Sequence, residues 1–328
     1  MIVSKTPFRL NFFSGGSDLP AFYKKEEGAA LSVTINKFLY VMVHKSPTTG
    51  VKISYDKAEE WDDVDNMREG LTKTILQTYG INKGISIASM SDIVTSGSGL
   101  GSSSAFTVGL LNAINAENPL SAKFLAEKAC DIEINKCSFG SGKQDQCAAA
   151  FGGLNLYKFY PNEEVEVLPV EISYSKWKEL ESKLLLVYSG KTRSANKILW
   201  KQQEAVEDPN KMDLIRAGRH KAHEGEWILR YGKIDDFGRL LHETWMEKRR
   251  IVTEISDPYF DNVYNTAIEA GAQGGKLLGA GGGGFFLFFV QPDDRSSVVQ
   301  HLNVNHPLCK VYDFSFYNKG SSLHYLSS

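Results

Sequence analysis

The sequence predicts an α+β protein built from two domains. Its 328 residues are more than a single hydrophobic core usually serves. Segments rich in β-branched and aromatic residues, which are typical of strands, are interspersed with segments whose apolar residues recur at helical spacing. This mixture within each half favours α+β over a doubly wound parallel sheet. The polar stretch Pro161–Tyr174 is the expected boundary, which gives domains of residues 1–170 and 171–328.

The individual elements follow from these local patterns. Strands are predicted where β-branched and aromatic residues cluster, and helices where the apolar period is close to 3.6. In chain order, the predicted elements are one or two strands over Leu31–His44, a strand over Gly84–Ala88, helices over Thr107–Ile114 and Ala122–Ile134, a helix end, a Gly-Gly break and a strand within Ala148–Tyr157, a buried strand over Lys183–Tyr188, a long helical region over Ser194–Thr253, and β-rich segments over Gly274–Val290 and Lys310–Tyr317.

The composition argues against several functional classes. With 37 basic and 39 acidic side chains, the formal net charge of −2 gives no bulk attraction to nucleic acid or to an anionic membrane. No apolar run reaches the ~18 residues of a transmembrane helix, and the first residues lack the pattern of a signal peptide. The four cysteines form no CxxC pair, which favours reduced thiols. We therefore expect a cytoplasmic enzyme whose ligands are small molecules and which binds neither nucleic acid nor membrane.

A glycine- and serine-rich stretch, SGSGLGSSSAF over Ser96–Phe106, directly precedes a predicted helix. A helix N-terminus exposes unpaired amides and the positive end of the helix dipole, and glycines let the backbone approach a bulky ligand. The stretch therefore predicts a site for a nucleotide phosphate. An alternative interpretation is a plain loop with Ser102 or Ser103 as the N-cap. No lysine follows Gly101 as in a Walker A loop, and the GxGxG spacing differs from the GxGxxG of dinucleotide-binding folds.

The stretch resembles the phosphate loop of the GHMP kinases, which reads approximately P-x-G-x-G-L-G-S-S-A. It departs from that pattern by lacking the proline and by carrying a third serine. Three more segments resemble the other motifs of the family in the same order: KTPFRLNFFSGGSDLP at 5–20, FGSGKQDQCAAAFGGLN at 139–155 and GAGGGGF at 279–285. The resemblance implies a ribosomal-S5-domain-2-like N-terminal domain, a ferredoxin-like C-terminal domain, and ATP and Mg²⁺ bound in the cleft between them.

The same resemblance implies roles for particular residues. Asp145 would be the catalytic base for an attacking hydroxyl, and Arg9 the basic residue that pairs with it. Glu133 and a hydroxyl from Ser102 or Ser103 would bind Mg²⁺, with Asp131 as the competing carboxylate. The nucleotide phosphates would be bound by the loop residues Gly97, Ser98, Gly99, Leu100, Gly101, Ser102, Ser103 and Ser104.

Within the family, the segments TPFRLNFFSGGSDLPAFY, GKQDQCAAAFGGLN, GKTRSANKIL and GGKLLGAGGGGF look like the D-glycero-α-D-manno-heptose 7-phosphate kinases, with the L-fucokinases as near relatives. That branch phosphorylates the anomeric C1 hydroxyl of a heptose 7-phosphate, on the way to nucleotide-activated heptose. The residues implied to bind the sugar are Asp18, Gly15 and Gly16. Those for the 7-phosphate are Lys143, Lys191, Thr192 and Arg193, with Ser189. Gly281 and Gly282 are also expected in the substrate site.

Several alternatives stay open at the level of sequence. The cations of the implied 7-phosphate site could be ordinary loop charges. The enzyme could act on another sugar such as L-fucose or a hexose, or on an isoprenoid or amino-acid substrate. A protein that binds sugar and nucleotide without catalysis is a different class, but the presence of Arg9, Glu133 and Asp145 speaks against it. The expected oligomeric state is a monomer or a homodimer.

Overall fold

The computed structural model describes residues 1–46, 50–55, 57–192 and 196–326. The strands are β1 Ile2–Phe13, β2 Gly28–Lys45, β3 Val51–Ser54, β4 Ala58–Trp61, β5 Ile85–Ser91, β6 Leu154–Phe159, β7 Val165–Pro169, β8 Leu184–Tyr188, β9 Ala272–Leu277, β10 Phe285–Val290, β11 Lys310–Tyr312, β12 Phe316–Tyr317 and β13 Ser322–Tyr325.

Eleven α-helices and one π-helix lie within the described residues. They are α1 Pro20–Tyr23, α2 Leu71–Thr78, α3 Ser102–Ile114, α4 Ala122–Cys130, the π-helix Asp131–Lys136, α5 Gln144–Phe151, α6 Tyr174–Lys183, α7 Asn196–Ala205, α8 Pro209–Tyr231, α9 Ile234–Ile251, α10 Pro258–Glu269 and α11 Arg295–Asn305.

Two β-sheets organise the molecule. The larger sheet has the order β13-β1-β2-β5-β3-β4; β6 and β12 also pair with β2, and β7 pairs with β6. The smaller sheet has the order β11-β8-β10-β9. In the described part of the chain, β3 with β5 is the one parallel pair, and the other pairs are antiparallel. The predicted α+β class is therefore confirmed.

Most of the predicted elements are present. The predicted strand at 31–44 is the centre of β2, a single strand of 18 residues whose first half pairs with β6 and second half with β5. The helical region at 194–253 contains α7, α8 and α9. The helix predicted over Ala122–Ile134 is α-helical only to Cys130 and continues as the π-helix. Helices α1, α2, α6, α10 and α11 were not predicted.

The end of the chain returns to the larger sheet. Strand β13 pairs with β1, and β12 pairs with β2, although both come from the half predicted to form the C-terminal domain. The boundary at residues 170 and 171 stays a prediction, but it does not separate the strands of the two sheets. Short edge strands from the C-terminus thus tie the second half of the chain to the first.

Packing of aromatic side chains fixes the position of β1. Phe12 and Phe13 of β1 are fully buried, and each ring meets that of Phe237 from α9 at 5.0 Å between centroids. Buried aromatic residues contribute large apolar areas and hold neighbouring elements in a defined orientation. The second half has its own core around Trp245, which packs edge-on against Phe286 of β10. These contacts bring β1 and α9 to the same cleft.

Candidate active site

A cleft of about 540 Å³ lies between the end of β1, the loop before α3, the start of α5 and the helices of the second half. It is lined by residues from all four sequence motifs. Its lining contains Arg9, Gly15, Gly16, Asp18, Gly97, Ser98, Gly99, Gly101, Ser102, Ser103, Ser104, Glu133, Asp145, Thr192, Lys248 and Lys276, among others. Distant parts of the sequence therefore converge on one site.

The glycine loop presents the N-terminus of α3 to this cleft. Gly101, at φ +75°, is the N-cap of the helix and no side-chain hydrogen bond caps it, so the interpretation of Ser102 or Ser103 as N-cap is wrong. Within the described residues the amides of Ser102, Ser103 and Ser104 have no backbone acceptor. A 13-residue helix with unpaired first-turn amides can bind an anion through those amides and its dipole.

Side chains of the loop divide by function. The Leu100 side chain is fully buried, and the buried Ser98 hydroxyl accepts a hydrogen bond from the Leu100 amide at 3.3 Å. The Ser102 hydroxyl donates to the Thr95 carbonyl at 2.6 Å. The exposed Ser103 hydroxyl makes no hydrogen bond within the described part of the chain. Ser103 is thus the hydroxyl of this turn that is available to a ligand.

The C-terminal glycine motif packs directly on the phosphate loop. A Cβ at Gly99 would lie 2.5 Å from the Leu278 carbonyl oxygen, and one at Gly279 would lie 2.5 Å from the Gly99 Cα. Such approach is possible only between glycines. Gly281 and Gly282 were predicted in the substrate site, but they pack against Ile255 outside the cleft lining, where the Gly282 amide donates to the Ile255 carbonyl at 2.9 Å.

Arg9 and Asp145 form a bidentate ion pair beside the loop. Arg9 Nε donates to Asp145 Oδ1 at 2.9 Å, and an Nη atom donates to Oδ2 at 2.8 Å. The other Nη atom donates to the Gly99 carbonyl at 2.6 Å. A register shift between β1 and β2 precedes Arg9, whose amide instead donates to the Leu100 carbonyl at 3.2 Å. The irregular strand thus aims the guanidinium at both the loop and the carboxylate.

Asp145 lies in the first turn of α5 and is partly exposed to the cleft, with 28% of its side chain accessible. This exposure leaves the carboxylate reachable by a substrate hydroxyl even though Arg9 holds it. Asn11 of β1 also donates to the Gln144 side-chain oxygen at 2.7 Å, which fixes the start of α5 against β1. The pair can orient a hydroxyl and take its proton while the guanidinium stabilises negative charge.

Glu133 lies on the π-helix, and its side chain is fully buried behind α3. Its carboxylate accepts hydrogen bonds from Thr107 at 2.5 Å, from Ser104 at 3.0 Å and from Gln146 at 2.7 Å. Burial raises the pKa of Glu133 to about 7, although these hydrogen bonds favour its ionised form. Asp131 lies on the same helix but pairs with Lys136 and lines a different cavity. A buried carboxylate with a raised pKa is suited to a divalent cation.

The turn after β1 contributes Asp18 and two glycines. Burial, together with the negative charge of Asp145, raises the pKa of Asp18 to about 6. Gly15, at φ +65°, packs its backbone against Gly218 of α8, and Gly16 has φ +91°. Asp18 lines the cleft with its carboxylate beside the two glycines, and a side chain at Gly15 would meet the Gly218 backbone.

The cations predicted for a substrate phosphate are dispersed. Lys143 points away from the cleft, where its ammonium pairs with Glu163 and lies 4.6 Å from the Tyr23 ring centroid. The Lys191 ammonium stacks on the Tyr259 ring at 3.6 Å. Thr192 lines the cleft, while Arg193 lies outside the described residues. The Ser189 hydroxyl is buried and donates to the Lys191 carbonyl at 3.1 Å.

Two buried lysines of the cleft were missed by sequence reasoning. Lys248 of α9 is 8% exposed and Lys276 of β9 is 3% exposed, and burial lowers the pKa of both, that of Lys248 to about 8. Lys276 donates to the carbonyls of Asn11 and Phe12 at 3.0 and 2.8 Å. A lysine in the apolar run GGKLL is a signal that could have identified Lys276. Nothing in the charged sequence around Lys248 distinguishes it from a surface residue.

Comparison with known proteins identifies the same family as the sequence motifs. Two family models match the chain: the GHMP kinases N terminal domain over residues 66–153 and the GHMP kinases C terminal domain over residues 226–305. The D-glycero-alpha-D-manno-heptose 7-phosphate kinase of Campylobacter jejuni is 30% identical, with 97% of each chain covered. The bifunctional fucokinase/GDP-fucose pyrophosphorylase of Arabidopsis thaliana is 26% identical over 94% of this chain and 32% of its own length.

Solved structures agree with the sequence comparison. That of a D-glycero-D-manno-heptose 1-phosphate kinase from Bacteroides thetaiotaomicron superposes with a TM-score of 0.81 at 27% identity, with both chains fully covered. The galactose complex of Lactococcus lactis galactokinase, at 19% identity and a TM-score of 0.74, shares the fold. Fold and cleft together define a small-molecule phosphotransferase. The chain belongs to the GHMP kinase family and is an ATP-dependent kinase.

Among the described residues, no helix has the length and apolar character needed to cross a membrane.

Proposed function

We propose that the protein transfers the γ-phosphoryl group of ATP to the anomeric C1 hydroxyl of D-glycero-D-manno-heptose 7-phosphate and forms the 1,7-bisphosphate. The observation that carries the chemistry is the bidentate Arg9–Asp145 pair beside the unpaired amides of α3. The choice of sugar is supported by the similarity of the whole chain to two heptose phosphate kinases. In this proposal the product serves the cytoplasmic synthesis of nucleotide-activated heptose for surface glycans.

In the proposed reaction, Asp145 accepts the proton of the C1 hydroxyl as its oxygen attacks the γ-phosphorus. The bond between the γ-phosphorus and the β–γ bridging oxygen breaks, and ADP leaves with that electron pair. Arg9 stabilises the charge on the transferred group, and the amides of Ser102, Ser103 and Ser104 bind the phosphates that stay with ADP. Positioning and charge therefore supply the catalysis.

The residues of the cleft fit a Mg²⁺ ion. Within the described residues no cluster of three or more His, Cys, Asp or Glu side chains is found. Mg²⁺ bound with nucleotide commonly needs only one or two protein oxygens, because phosphates and water complete its shell. Glu133 and the unengaged Ser103 hydroxyl are those donors in our proposal. The ion would neutralise phosphate charge and favour the ionised form of Glu133.

The sugar would lie against the turn that follows β1. Asp18 would accept hydrogen bonds from ring hydroxyls, and the backbone of Gly15 and Gly16 lines the same part of the cleft. Thr192 and Arg193 are the proposed partners of the 7-phosphate. Lys143 and Lys191 are not, because their ammonium groups are held by Glu163 and Tyr259.

An L-fucose or hexose 1-kinase is the second candidate. It is favoured by the orientation of Lys143 and Lys191, because two of the cations predicted for an acceptor phosphate contact Glu163 and Tyr259 instead. A panel of acceptors separates the two: heptose 7-phosphate, unphosphorylated heptose, mannose 6-phosphate, L-fucose and galactose, each with Mg-ATP and ADP release as the readout. Turnover restricted to unphosphorylated sugars would contradict the 7-phosphate proposal and leave the kinase chemistry intact.

The proposed role of Asp145 predicts the behaviour of Asp145→Asn. The amide cannot accept the proton of the attacking hydroxyl, so turnover should fall by about 10³-fold while Mg-ADP binds within a few-fold of wild type. Steady-state kinetics and calorimetric titration measure the two quantities. A variant that turns over like wild type would show that Asp145 is not the base.

A further inference from the structure

Lys248 has an incomplete set of partners. An ammonium carries three N–H donors. Within the described residues Lys248 uses one of them, on the Gly279 carbonyl, and no carboxylate lies within ion-pair distance. The side chain is only 8% exposed and lines the cleft. A buried ammonium without a counter-ion is costly unless a ligand supplies the missing charge.

Lys276 provides an internal comparison. It is also buried in the cleft lining, but two backbone carbonyls, those of Asn11 and Phe12, accept its hydrogen bonds and join β9 to β1. Its geometry describes a structural lysine. Lys248 differs because, within the described part of the chain, a single acceptor is recorded for its three donors while the residue lines the cleft.

The position of Lys248 indicates which anion it meets. Its partner Gly279 packs on Gly99, and the Gly99 carbonyl is the acceptor of Arg9. The ammonium therefore lies at the junction of the two glycine motifs, on the Arg9 side of the phosphate loop. Burial and the positive charge of Arg9 lower the pKa of Lys248, whereas the negative charges of Asp18 and Asp145 raise it, so Lys248 shares one electrostatic environment with these three groups.

From this geometry we infer that Lys248 is a second catalytic cation, which binds the phosphoryl group during its transfer from nucleotide to sugar. Lys248 and Arg9 then approach that group from the C-terminal and N-terminal halves of the chain. The inference rests on the kinase activity and not on which sugar is the acceptor. It assigns to α9 a direct part in catalysis.

The test compares Lys248→Met with wild type on two acceptors. One is the best acceptor of the panel, and the other is the same sugar with its own phosphate removed or added. We expect kcat to fall about 100-fold for both, with the KM of each sugar and the Kd of Mg-ADP unchanged. Wild type should bind a non-hydrolysable ATP analogue more tightly than ADP, and in Lys248→Met this difference in affinity should be about tenfold smaller. This nucleotide-binding measurement needs no acceptor.

Lys176→Met is the matched control, because that ammonium donates to the carbonyls of Leu229, Arg230 and Gly232. It should leave kcat within twofold. If Lys248→Met does not fold, Lys248→Gln, which can still donate to the Gly279 carbonyl, replaces it.

Two results would overturn the inference. A rise in KM confined to phosphorylated acceptors, at unchanged kcat, would assign Lys248 to the acceptor's own phosphate. A kcat within threefold of wild type in a folded variant, with the analogue bound as tightly as before, would leave Lys248 a structural role only. If wild type does not phosphorylate heptose 7-phosphate in the panel, the proposed substrate is wrong. That result leaves the inference about Lys248 intact, since the nucleotide-binding measurement does not involve the sugar.

Discussion

At the scale of single residues, Arg9 connects the proposed base to the phosphate loop. Its guanidinium binds both oxygens of Asp145 and the Gly99 carbonyl, and its amide binds the Leu100 carbonyl. Only a planar fork with five donors can make these contacts together, because the ammonium of lysine is a point charge. The arrangement keeps Asp145 oriented before substrate arrives.

Arg9→Lys tests this use of the fork. The charge is kept but the bidentate contact and the bond to Gly99 cannot both be made, so we expect kcat to fall by about 10²-fold. Mg-ADP affinity should change less than kcat, since the loop amides are intact. Steady-state kinetics with ATP and the best acceptor check this, and wild-type kcat in the lysine variant would contradict the role of the fork.

Glu133 makes the stability of the metal-free protein depend on pH. Its pKa is about 7 in the folded protein and 4.5 when unperturbed, so between these values the folded state retains a proton that the unfolded state has released. Stability from this group is therefore lost as the pH rises from about 4.5 to 7, by up to about 3 kcal/mol.

Urea unfolding at several pH values in the presence of a chelator measures this effect. In Glu133→Gln, the loss of unfolding free energy between pH 4.5 and 7 should be smaller by about 3 kcal/mol. Glu117→Gln, at an exposed position, should show the same loss as wild type. An identical pH dependence in wild type and Glu133→Gln would show that Glu133 has an ordinary pKa in the folded protein.

At the scale of elements, the close contact of the two glycine motifs joins the phosphate loop to the turn between strands β9 and β10. The contact requires glycine at Gly99 both for its φ of +75° and for its distance to Leu278. The two backbones are too close for a water molecule to lie between them, so this side of the loop is covered by protein.

Gly99→Ala should separate the motifs, because the new methyl group would overlap the Leu278 carbonyl. Gly80→Ala is the matched control, since Gly80 has φ +63° but no atom within 4 Å of a Cβ. We expect the control to lose about 1 kcal/mol of unfolding free energy and Gly99→Ala to lose roughly 3 kcal/mol, together with nucleotide affinity. Equal losses in the two variants would contradict the tight contact.

Local patterns predicted much of the fold because they are properties of the elements themselves. The β-branched run of β2 and the helical spacing of α3 needed no knowledge of tertiary contacts. The π-helix was not predictable, since its six residues are too few for a change in the apolar period to be recognised. The helix α2 has apolar residues at helical spacing, Leu71, Ile75 and Leu76, but its eight residues form only about two turns, too few to be recognised as a period.

The site was predicted where motifs were contiguous and missed where tertiary packing decides. Lys143 and Asp145 are two residues apart at the start of α5, where such residues point in well-separated directions. Asp145 accordingly faces the cleft and Lys143 faces Glu163. Lys248 was invisible because a buried lysine and a solvated lysine occupy the same kind of charged helix sequence.

At the scale of the whole molecule, the cleft is assembled from both halves of the chain. Arg9 and Asp145 come from the first half, Lys248 and Lys276 from the second, and β12 and β13 return to the larger sheet. The packing of α8 on β1 and β2, together with the contacts of Phe237 with Phe12 and Phe13, holds the two halves together. We therefore regard the phosphate loop, the proposed base and the cations as one preorganised unit.

We propose that this unit phosphorylates the anomeric oxygen of a heptose 7-phosphate. Phosphorus NMR of the product formed from Mg-ATP and D-glycero-D-manno-heptose 7-phosphate tests it most directly. We expect a second sugar phosphorus signal, coupled to the anomeric proton, that forms about 10³-fold more slowly with Asp145→Asn. A new phosphate on any other carbon would contradict this proposal. So would an unchanged spectrum of the heptose 7-phosphate from a protein preparation that does phosphorylate another sugar.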